Sequence, residues 1–512
     1  MAHLGSRRQR TLALPVGLAL TATLGFLPGA AASAAPQDGP AAPAAVTADG
    51  PKMSYVVNTK GGHAASASVK RAIARAGGTV VKAYDQIGVI VVHSQNPDFG
   101  KQIRKAEGVS SAGATRTSPL TPVGITEEGA TQKLTAAQAA KAEAAAAPGQ
   151  EPLEANQWDI RAIGADKAAQ VNDGSSRVTV GVIDTGVDDT HPDLAPNFSK
   201  SQSANCVGGV ADSSEGAWRP YTDGSDHGTH VAGTIAAPRN GLGVAGVAPG
   251  VKLAGIKVSE PGTSLFFTEA VVCGFVWAAE HDIDVTNNSY YVDPWKFNCK
   301  DDPDQKALLD SLTRAMKYAE RKGALHVAAA GNSNFDLAAD AIVDDSSPND
   351  STPVERVIDP SECPDAPTML PGVVAVTSTG DKNVKSYYSS YGHGVADVSA
   401  PGGDKWQIPA TPDANGRVLS TVLNGGYGYK QGTSMATPHV AGVAALLKSA
   451  HPKASPADLR RLLKKQADNP GCPTHIYDAA GNWVEATTCE GDENYNGYYG
   501  SGVVDALDAV KK

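Results

Sequence analysis

The stretch Gly432-Thr-Ser-Met-Ala-Thr-Pro-His-Val-Ala-Gly442 sets a serine among small residues at the entrance to an apolar run with helical spacing. It predicts a tight turn that delivers the Ser434 hydroxyl to the first turn of a buried helix. There, free backbone N–H groups and the helix dipole favour any negative charge that develops nearby. A serine nucleophile needs this environment. Serines at the start of core helices are also common, so the stretch alone leaves both interpretations open.

Beyond this stretch, the chain from about residue 152 onward alternates between predicted strands and helices, which indicates a parallel sheet with helices on both faces. The predicted strands are 177–183, 251–258, 284–288, 325–330 and 373–378. The predicted helices are 265–280, 304–321, 437–449 and 455–466. Ligands of open α/β sheets bind beyond the carboxyl ends of the strands, so polar residues at those ends are candidates for a site.

Three polar residues accompany Ser434. Asp184 follows an apolar strand, where a carboxylate is costly unless it is hydrogen-bonded. His227 opens His-Gly-Thr-His-Val-Ala-Gly before a small-residue helix, and Asn332 follows Ala-Ala-Ala-Gly after a strand. Each residue alone also has a plain structural interpretation, as a turn cap, a core histidine or a turn residue. Together they supply an orienting carboxylate, a base and an oxyanion donor for the serine.

The segments that carry these residues resemble the signatures of a known family. Asp-Thr-Gly at 184, the histidine segment at 227 and the serine segment at 432 are similar to the three signatures of the subtilisin-like serine proteases, the subtilases. They occur in that family's chain order, and the resemblance runs from about 157 to 509. It implies a subtilisin-like, doubly wound, mainly parallel α/β fold.

The resemblance also implies a role for each residue. Ser434 attacks the peptide carbonyl, His227 takes its proton and later gives it to the leaving amine, and Asp184 orients the imidazole. The Asn332 side-chain amide and the Ser434 N–H form the oxyanion hole. Two further histidines in the signatures, His230 and His439, are interpreted as structural.

A substrate cleft follows from the same resemblance. The segment 287–291 resembles the family segment that pairs with the substrate backbone. The residues implied for the first pocket are Ser289, Tyr290 and Tyr291 on one wall and Ala329, Ala330 and Gly331 on the other. The family usually has glycine at the position of Tyr291, so the tyrosine either narrows the pocket or reroutes its edge. Further along, an apolar pocket and plain helix core are both open for Phe266, Phe267 and Val271.

A calcium site is also implied, because many subtilases hold Ca²⁺ on the loop after the histidine helix. The segment 238–244 occupies that loop, although Pro238 and Arg239 depart from the usual pattern. The implied oxygen ligands are Asp193, Asn240 and the carbonyls of Leu242 and Val244. The expectation is structural Ca²⁺, with no cofactor for catalysis.

The N-terminal part has a different organisation. Residues 1–35 have the basic start, apolar run and small-residue cleavage pattern of a signal peptide, which predicts a secreted, extracellular protein. Residues 36–50 are predicted to be a flexible linker. Residues 51–117 show β-α-β-β-α-β order, a ferredoxin-like α+β pattern that resembles the family's inhibitory propeptide. Residues 118–151 are predicted to be an Ala-rich linker, either an exposed helix or a disordered tether, and to contain the maturation site. The peptidase domain is 152–512.

Charge and cysteine content add constraints. Residues 1–151 hold 15 Lys and Arg against 9 Asp and Glu, whereas residues 152–512 hold 29 against 45, which argues against a nucleic-acid partner. Six cysteines without a C-x-x-C pair predict disulfides, with 15 possible connectivities. Cys472–Cys489 is the expected pair. The insertions 333–366 and 467–499 are interpreted as solvated decoration stapled by disulfides, with substrate contact as the alternative.

The leading hypothesis is a secreted serine endopeptidase of broad specificity, made as a self-processing zymogen. Its partners are protein or peptide substrates and its own propeptide as an intramolecular inhibitor. No membrane association is expected after signal cleavage, and a monomer is the default expectation. One alternative is a narrow-specificity processing protease, which Tyr291 favours. The other is a non-catalytic binding protein on the subtilase fold, against which none of the four chemical positions is substituted.

Overall fold

The computed structural model describes residues 50–62, 67–119, 130–222 and 224–511. The signal peptide predicted at 1–35 and all but the last residue of the linker predicted at 36–50 lie outside the described residues. Within the described ranges, no helix combines the length and apolar character that a membrane span requires.

The small domain has the element order that the sequence predicts. Its elements are β1 (Met53–Thr59), α1 (Ala67–Arg75), β2 (Gly78–Tyr84), β3 (Val89–Ser94), α2 (Phe99–Ile103) and β4 (Val109–Ala114). The strands form an antiparallel sheet in the ferredoxin-like order β2-β3-β1-β4. Helix α2 is shorter than the predicted 97–107, because the backbone after it changes to tighter turns. The Lys105 N–H donates to the Gln102 carbonyl and the Ala106 N–H to the Ile103 carbonyl.

The described part of the linker contains β5 (Gln132–Lys133) and α3 (Ala136–Ala145). The Thr135 side chain caps α3 by accepting the Gln138 N–H, and Gln138 returns the contact in a capping box. Ala142 is fully buried against Leu419 and Tyr429 of the large domain. Of the two predicted forms, this part of the linker is therefore a helix, and it is docked on the large domain.

The large domain begins with alternating helices and strands. Its first elements are α4 (Trp158–Ala162), α5 (Ala165–Val171), β6 (Thr179–Asp184), β7 (Ala204–Asn205), α6 (His227–Ala236), β8 (Lys252–Lys257), α7 (Thr268–Glu280), β9 (Val285–Asn288), α8 (Pro303–Lys322) and β10 (Leu325–Ala329). They are followed by β11 (Ile342–Asp344), β12 (Arg356–Ile358), β13 (Val373–Thr379), β14 (Val398–Pro401), β15 (Val418–Val422), β16 (Gly426–Lys430), α9 (Thr433–Ala450), α10 (Pro456–Gln466), β17 (His475–Tyr477), β18 (Trp483–Glu485) and α11 (Ala506–Val510).

A seven-stranded parallel sheet organises this domain, with the order β14-β13-β10-β9-β6-β8-β7. Helices α6 and α9 pack on one face through side chains such as Val231 and Val440, and α7 and α8 pack on the other through Phe275 and Leu312. The predicted doubly wound α/β fold is confirmed. Strands β8 and β9 lie on opposite sides of β6, and such a switch in strand order opens a crevice at the carboxyl ends of the strands.

Smaller elements sit at the periphery. Strands β15 and β16 pair with each other, and β16 also pairs with β5 of the linker. The pairs β11–β12 and β17–β18 are hairpins inside the two insertions. Three disulfides join Cys206 to Cys273, Cys299 to Cys363, and Cys472 to Cys489. The expected Cys472–Cys489 pair is among them, and each of the other two ties a loop or insertion to the large domain.

The small domain lies against helices α7 and α8. Alternate residues of its sheet point in opposite directions, as the pleat requires: Val57 packs under α1 and α2, whereas Val56 and Val91 join the core that contains α7 and α8. Polar contacts fix the register, because Asn58 donates to the carbonyl of Ala307 at 2.9 Å and accepts from Ser311 at 3.0 Å. The two domains therefore share a continuous core.

Replacing Gly113 by valine is expected to loosen this interface. A Cβ at Gly113 would lie 2.5 Å from the Cα and the carbonyl oxygen of Asp304 in α8. Since neither is a flexible side chain, β4 and α8 must separate, and overpacking of this kind costs about 1–3 kcal/mol, or roughly ten-fold in local protection. Hydrogen–deuterium exchange should show faster exchange at the start of α8. Thr79→Val, on exposed β2, is the control, and unchanged protection in Gly113→Val would contradict the docking.

Candidate active site

One cavity beyond the carboxyl ends of β9 and β10 contains most of the residues that the sequence singles out. Ser434, His227 and Asn332 line it together. The pocket residues expected from sequence that also line it are Ser289, Tyr290, Tyr291, Ala329 and Gly331. Ala330 is instead 2% exposed and buried in a neighbouring apolar cluster, so its side chain belongs to the support of the wall.

Strand β6 and helix α6 set the aspartate–histidine pair. Asp184 ends β6, His227 begins α6, and both are buried. The His227 Nδ1–H donates to Asp184 Oδ1 at 2.8 Å, and the Thr185 N–H donates to the same oxygen at 2.7 Å. An ionised carboxylate only accepts hydrogen bonds, so Nδ1 carries the proton and Nε2 is the acceptor nitrogen of the neutral ring.

The glycines of these two segments permit the close approach. A Cβ at Gly228 would lie 2.4 Å from the carbonyl oxygen of Gly186 and 3.1 Å from the Cβ of Asp184. A Cβ at Gly186 would lie 2.7 Å from the carbonyl oxygen of Trp218. Any larger residue would push α6 away from the end of β6 and lengthen the hydrogen bond between the two side chains.

Ser434 lies in the first turn of α9, which begins at Thr433, four residues before the predicted start at 437. Pro438 has no N–H, so the helix leaves the carbonyl of Ser434 without its usual i+4 donor. The Ser289 hydroxyl donates to that carbonyl at 2.9 Å, and the Ser434 hydroxyl donates to the Ser289 carbonyl at 3.1 Å. The proline in the serine signature thus ties the start of α9 to the segment after β9.

Asn332 is oriented by its neighbour in space, Thr433. The Asn332 Oδ1 accepts from the Thr433 N–H at 2.8 Å and from its hydroxyl at 2.9 Å. The Thr433 Oγ1 in turn accepts the Gly331 N–H at 3.1 Å. With its oxygen held this way, the amide presents its Nδ2 donors on the opposite side. Sequence reasoning missed Thr433 as a positioning residue, although its place beside the serine was a signal.

The two other signature histidines are held in the core. His230 Nε2 lies 3.2 Å and 3.1 Å from the carbonyl oxygens of Val418 and Gly428, and burial lowers its pKa to about 3. His439 bonds the Met435 carbonyl through Nδ1 at 2.8 Å and Asp159 through Nε2 at 3.0 Å. Both therefore brace helices α6 and α9, as the structural interpretation expects.

Two charged residues of the cavity were missed by sequence reasoning. Lys296 and Asp365 line it with Ser434, and both are nearly buried, at 6% and 2% exposed. Burial raises the pKa of Asp365 to about 8, which the nearby Lys296 ammonium only partly offsets. Lys296 donates to the Ser333 hydroxyl and lies 5.0 Å from the Phe335 ring centre. The Asp365 Oδ1 has no hydrogen-bond partner among the described residues.

The insertion 333–366 is more than the solvated decoration that its polar sequence suggested. It carries Asp365 into the cavity and places Asn349 where its Nδ2 donates to the Tyr291 hydroxyl at 2.9 Å. The Cys299–Cys363 disulfide anchors the insertion beside the cavity. The interpretation as decoration is therefore wrong for this segment, and Tyr291 is held as part of the wall.

The three apolar candidates further along the cleft lie in different places. Phe266 lines the cavity and stacks on Tyr290, with ring centres 4.6 Å apart. Phe267 is buried next to Arg116 of the chain that leaves the small domain, 3.9 Å from its guanidinium carbon. Val271 is part of the helix core. Of the three, only Phe266 therefore lines the cavity.

The loop after α6 has a donor set that fits a hard cation in part. Asp193 is fully buried, its Oδ2 accepts the Val244 N–H at 2.9 Å, and its Oδ1 has no partner among the described residues. Burial raises the pKa of Asp193 to about 7, and Glu151 adds to this effect. The buried Glu151 Oε2 also has no partner in the described part of the chain. Glu151 was missed by sequence reasoning.

The remaining residues of this loop are already engaged. The Asn240 Oδ1 accepts the Leu242 N–H at 3.0 Å. The Arg239 guanidinium forms a two-pronged contact with Glu154, at 2.9 Å and 2.7 Å, which compensates its charge locally. Across the described ranges, no group of three or more His, Cys, Asp or Glu side chains is arranged to hold a metal. A cation here would depend on two carboxylates and backbone carbonyls.

Known proteins are similar to this chain in sequence and in fold. The chain is 35% identical over 292 residues to Subtilisin NAT of Bacillus subtilis subsp. natto, which covers 57% of this chain and 61% of that relative. It is 33% identical over 332 residues to Subtilisin Savinase of Lederbergia lenta, covering 65% of this chain and 98% of the relative. The epidermin leader peptide processing serine protease of Staphylococcus aureus has a similar fold, with a TM-score of 0.62 and 23% identity over 90% of this chain and 98% of that one.

A family model identifies the group to which these similar proteins belong. The model described as the subtilase family matches residues 175–502, more than half of the chain. This range holds Asp184, His227, Asn332 and Ser434, and with them the whole of the parallel sheet. The chain therefore belongs to the subtilase family.

Proposed function

We propose that the protein is a serine endopeptidase that hydrolyses peptide bonds through Asp184, His227 and Ser434. The observation that carries the proposal is the buried 2.8 Å hydrogen bond from His227 to Asp184, in a site whose cavity also contains Ser434 in the first turn of α9. Burying Asp184 and His227 costs desolvation energy that hydrogen bonds must offset. A non-catalytic binding protein would have no functional need for this costly pair.

The proposed reaction proceeds through an acyl-enzyme. When a substrate carbonyl enters, the Ser434 hydroxyl leaves the Ser289 carbonyl and passes its proton to His227 Nε2 as Oγ attacks. Asp184 stabilises the imidazolium that forms. The tetrahedral oxyanion accepts hydrogen bonds from Asn332 Nδ2 and the Ser434 N–H. His227 then gives the proton to the leaving amine, and water releases the acyl group by the same route.

The oxyanion donors are pre-oriented, which is where most of the rate enhancement of such a site arises. Asn332 cannot rotate freely, because Thr433 holds its oxygen with two hydrogen bonds. Removing one oxyanion donor typically lowers kcat by roughly 10²–10³-fold. The N-terminal end of α9 adds a favourable dipole at the same point.

We also propose that the chain is made as an inactive precursor. In this scheme residues 1–35 direct secretion to the extracellular space, 36–50 are a linker, 51–117 inhibit the peptidase within the same chain, and 118–151 contain the maturation site. The mature peptidase is 152–512. The proposal is supported by the docking of β1, β3 and β4 on α7 and α8, because the segment that precedes α7 lines the cleft. The substrates are proteins or peptides, and the enzyme acts as a monomer.

A second candidate is a narrow-specificity processing protease, and the charged cavity favours it. Asp365 presents an oxygen without a partner in the described structure, whereas the Lys296 ammonium already bonds Ser333. A hydrogen-bond donor from the substrate, most strongly an arginine or lysine before the scissile bond, would compensate Asp365. Tyr291 adds selectivity, because Asn349 holds it in the wall.

Structural Ca²⁺ is a further proposal. In the precursor, Asp193 and Glu151 would hold it with backbone carbonyls of the 238–244 loop. Leu242 and Val244 were expected from sequence to contribute there, and Asn240 is engaged by Leu242. The ion would supply the positive charge that these two buried carboxylates lack. It would pin the loop to the segment that follows α3, and no step of the reaction depends on it.

Replacing Ser434 by alanine is expected to abolish labelling by a fluorophosphonate probe and to leave the precursor uncut, because both reactions need the same nucleophile. Gel fluorescence and intact mass measure the two outcomes. Ser449→Ala, at the far end of α9, is the matched control and should keep both reactions. A Ser434→Ala chain that still matured in purified form would contradict self-processing, and wild-type mature protein that did not label would contradict the enzyme.

Replacing Asp365 by asparagine is expected to reduce the preference for arginine over citrulline before the scissile bond by roughly ten-fold or more, since a hydrogen bond to a charged group is lost. The readout is kcat/KM on paired peptides that differ only at that position. Asp340→Asn, an exposed change in the same insertion, should leave the ratio as it is. If wild-type kcat/KM were the same for all side chains at this position, the hypothesis of a narrow-specificity protease would be contradicted and broad specificity supported.

Adding Ca²⁺ to chelator-treated precursor, kept uncut by Ser434→Ala, is expected to raise the thermal midpoint and to release heat in isothermal titration. Ligand binding to the folded state alone stabilises it by about 2.7 kcal/mol at a hundred-fold excess over Kd. Asp193→Asn and Glu151→Gln should each weaken the response, whereas Glu143→Gln, on the exposed face of nearby α3, should not. No heat with calcium would rule the site out.

A further inference from the structure

The residue that follows the small domain's last strand is enclosed by acidic side chains of the large domain. Arg116 is 3% exposed. Its Nη2 donates to Glu260 and, at 3.1 Å, to Glu269 Oε1, and its Nε donates to the same Glu269 oxygen at 3.3 Å. The guanidinium carbon lies 3.9 Å from the centre of the Phe267 ring. We name Glu260, Phe267 and Glu269 the arginine pocket.

The arginine pocket is next to the catalytic cavity along the chain. Phe266 lines that cavity and stacks on Tyr290, and Phe267 of the pocket follows it. Glu269 lies in the first turn of α7, two residues after Phe267. Phe267 and Glu269 are buried while Arg116 is in place, so departure of the small-domain segment would open the pocket beside Phe266.

The chain after Arg116 contacts the insertion 333–366, which contributes Asp365 to the cavity. The N–H groups of Thr117 and Ser118 donate to Asp350 Oδ2 at 2.8 Å and 3.2 Å. Asp350 is adjacent to Asn349, which bonds Tyr291 in the cavity wall. Two backbone N–H groups bound by one carboxylate, with the preceding side chain inserted in a charged pocket, are contacts that a substrate peptide could also make.

Removal of Arg116 would leave the pocket with unbalanced charge. Glu269 is 1% exposed, and its Oε2 has no hydrogen-bond partner among the described residues even with Arg116 in place. Burial raises the pKa of Glu260, and Arg116 opposes this rise. Removing one member of a buried ionic group is strongly unfavourable because the remaining charge is uncompensated. The empty pocket would therefore bind another cation of the right shape.

We propose that the arginine pocket binds an arginine or lysine side chain of the substrate, upstream of the residue next to the scissile bond, and that Arg116 occupies it in the precursor as a substrate mimic. This inference rests on the proposed function as a peptidase with an inhibitory small domain. Arginine is preferred over lysine, because a planar guanidinium can bond two carboxylates and stack on the Phe267 ring at once.

The test uses the mature enzyme and quenched fluorescent peptides in which each upstream position in turn carries arginine, lysine or citrulline. Citrulline has the shape of arginine without its charge. We expect kcat/KM at one upstream position, other than the one next to the scissile bond, to be roughly ten-fold or more higher for arginine than for citrulline. Lysine should fall between the two. Equal rates for all three at every such position would overturn the proposal.

Variants identify the pocket that binds the substrate side chain at this position. Glu269→Gln and Glu260→Gln should each bring the arginine-to-citrulline ratio toward one, and Glu260→Gln, whose side chain is 14% exposed, gives an independent result if the buried change impairs folding. Glu280→Gln, at the exposed end of α7, is the control and should retain the ratio. An unchanged ratio in Glu260→Gln would overturn the assignment.

The outcome is separable from that of the proposed function. If the protein were not a peptidase, the fluorophosphonate probe would not label Ser434 and no peptide would be cut. If it is a peptidase but Arg116 only fastens the two domains together, labelling and cleavage would proceed with no charge preference at any upstream position. Only the second result speaks against the arginine pocket.

Discussion

The hydrogen bond between Asp184 and His227 depends on where a parallel sheet ends. Asp184 is fully buried, and a carboxylate is tolerated there only because two N–H donors meet its Oδ1 at 2.7–2.8 Å. Strand β6 supplies the carboxylate, and α6 comes close enough to supply the histidine because Gly228 has no Cβ to strike the Gly186 carbonyl. The sheet thus fixes the tautomer of His227, with Nδ1 as the donor to Asp184.

A missing hydrogen bond in α9 connects the start of this helix, which carries Ser434, to the end of a strand. Pro438 removes one helical hydrogen bond, and the carbonyl that it releases is met by Ser289 from the end of β9. Thr433 connects α9 to the end of β10, because its N–H and hydroxyl donate to the side chain of Asn332. The start of one helix therefore contacts the carboxyl ends of two neighbouring strands, which is why residues distant in sequence share one cavity. In both contacts one of the two residues, Ser434 or Thr433, belongs to the Gly-Thr-Ser-Met-Ala-Thr-Pro segment.

Much of this arrangement could be predicted from the sequence, because it is encoded in local patterns. Strand β6 is a near-continuous apolar run, and the signature glycines and proline mark the ends of elements. The start of α9 at Thr433, before the predicted 437, could not be read from apolar spacing, because its first turn is small and polar. Asp365 and Glu151 were missed for another reason: a polar insertion and a linker residue become part of a site only through tertiary contacts. Nothing local distinguishes Asp365 from the other acidic residues around it.

The uneven charge of the chain also has a structural explanation that composition alone could not supply. Part of the positive excess in the first 151 residues meets part of the negative excess of the rest at the interface between the two domains, where Arg104 pairs with Asp304 at 2.7 Å and Arg116 with Glu269 at 3.1 Å. The two ion pairs differ in how much they contribute to stability. Arg104 and Asp304 are partly exposed, at 30% and 47%, so solvent screens them and they contribute little. Arg116 and Glu269 are buried, at 2% and 1%, and charges there cannot be left unpaired. A group of buried acidic side chains requires a cation whenever it is closed to water, and in this structure Arg116 of the chain itself supplies that cation.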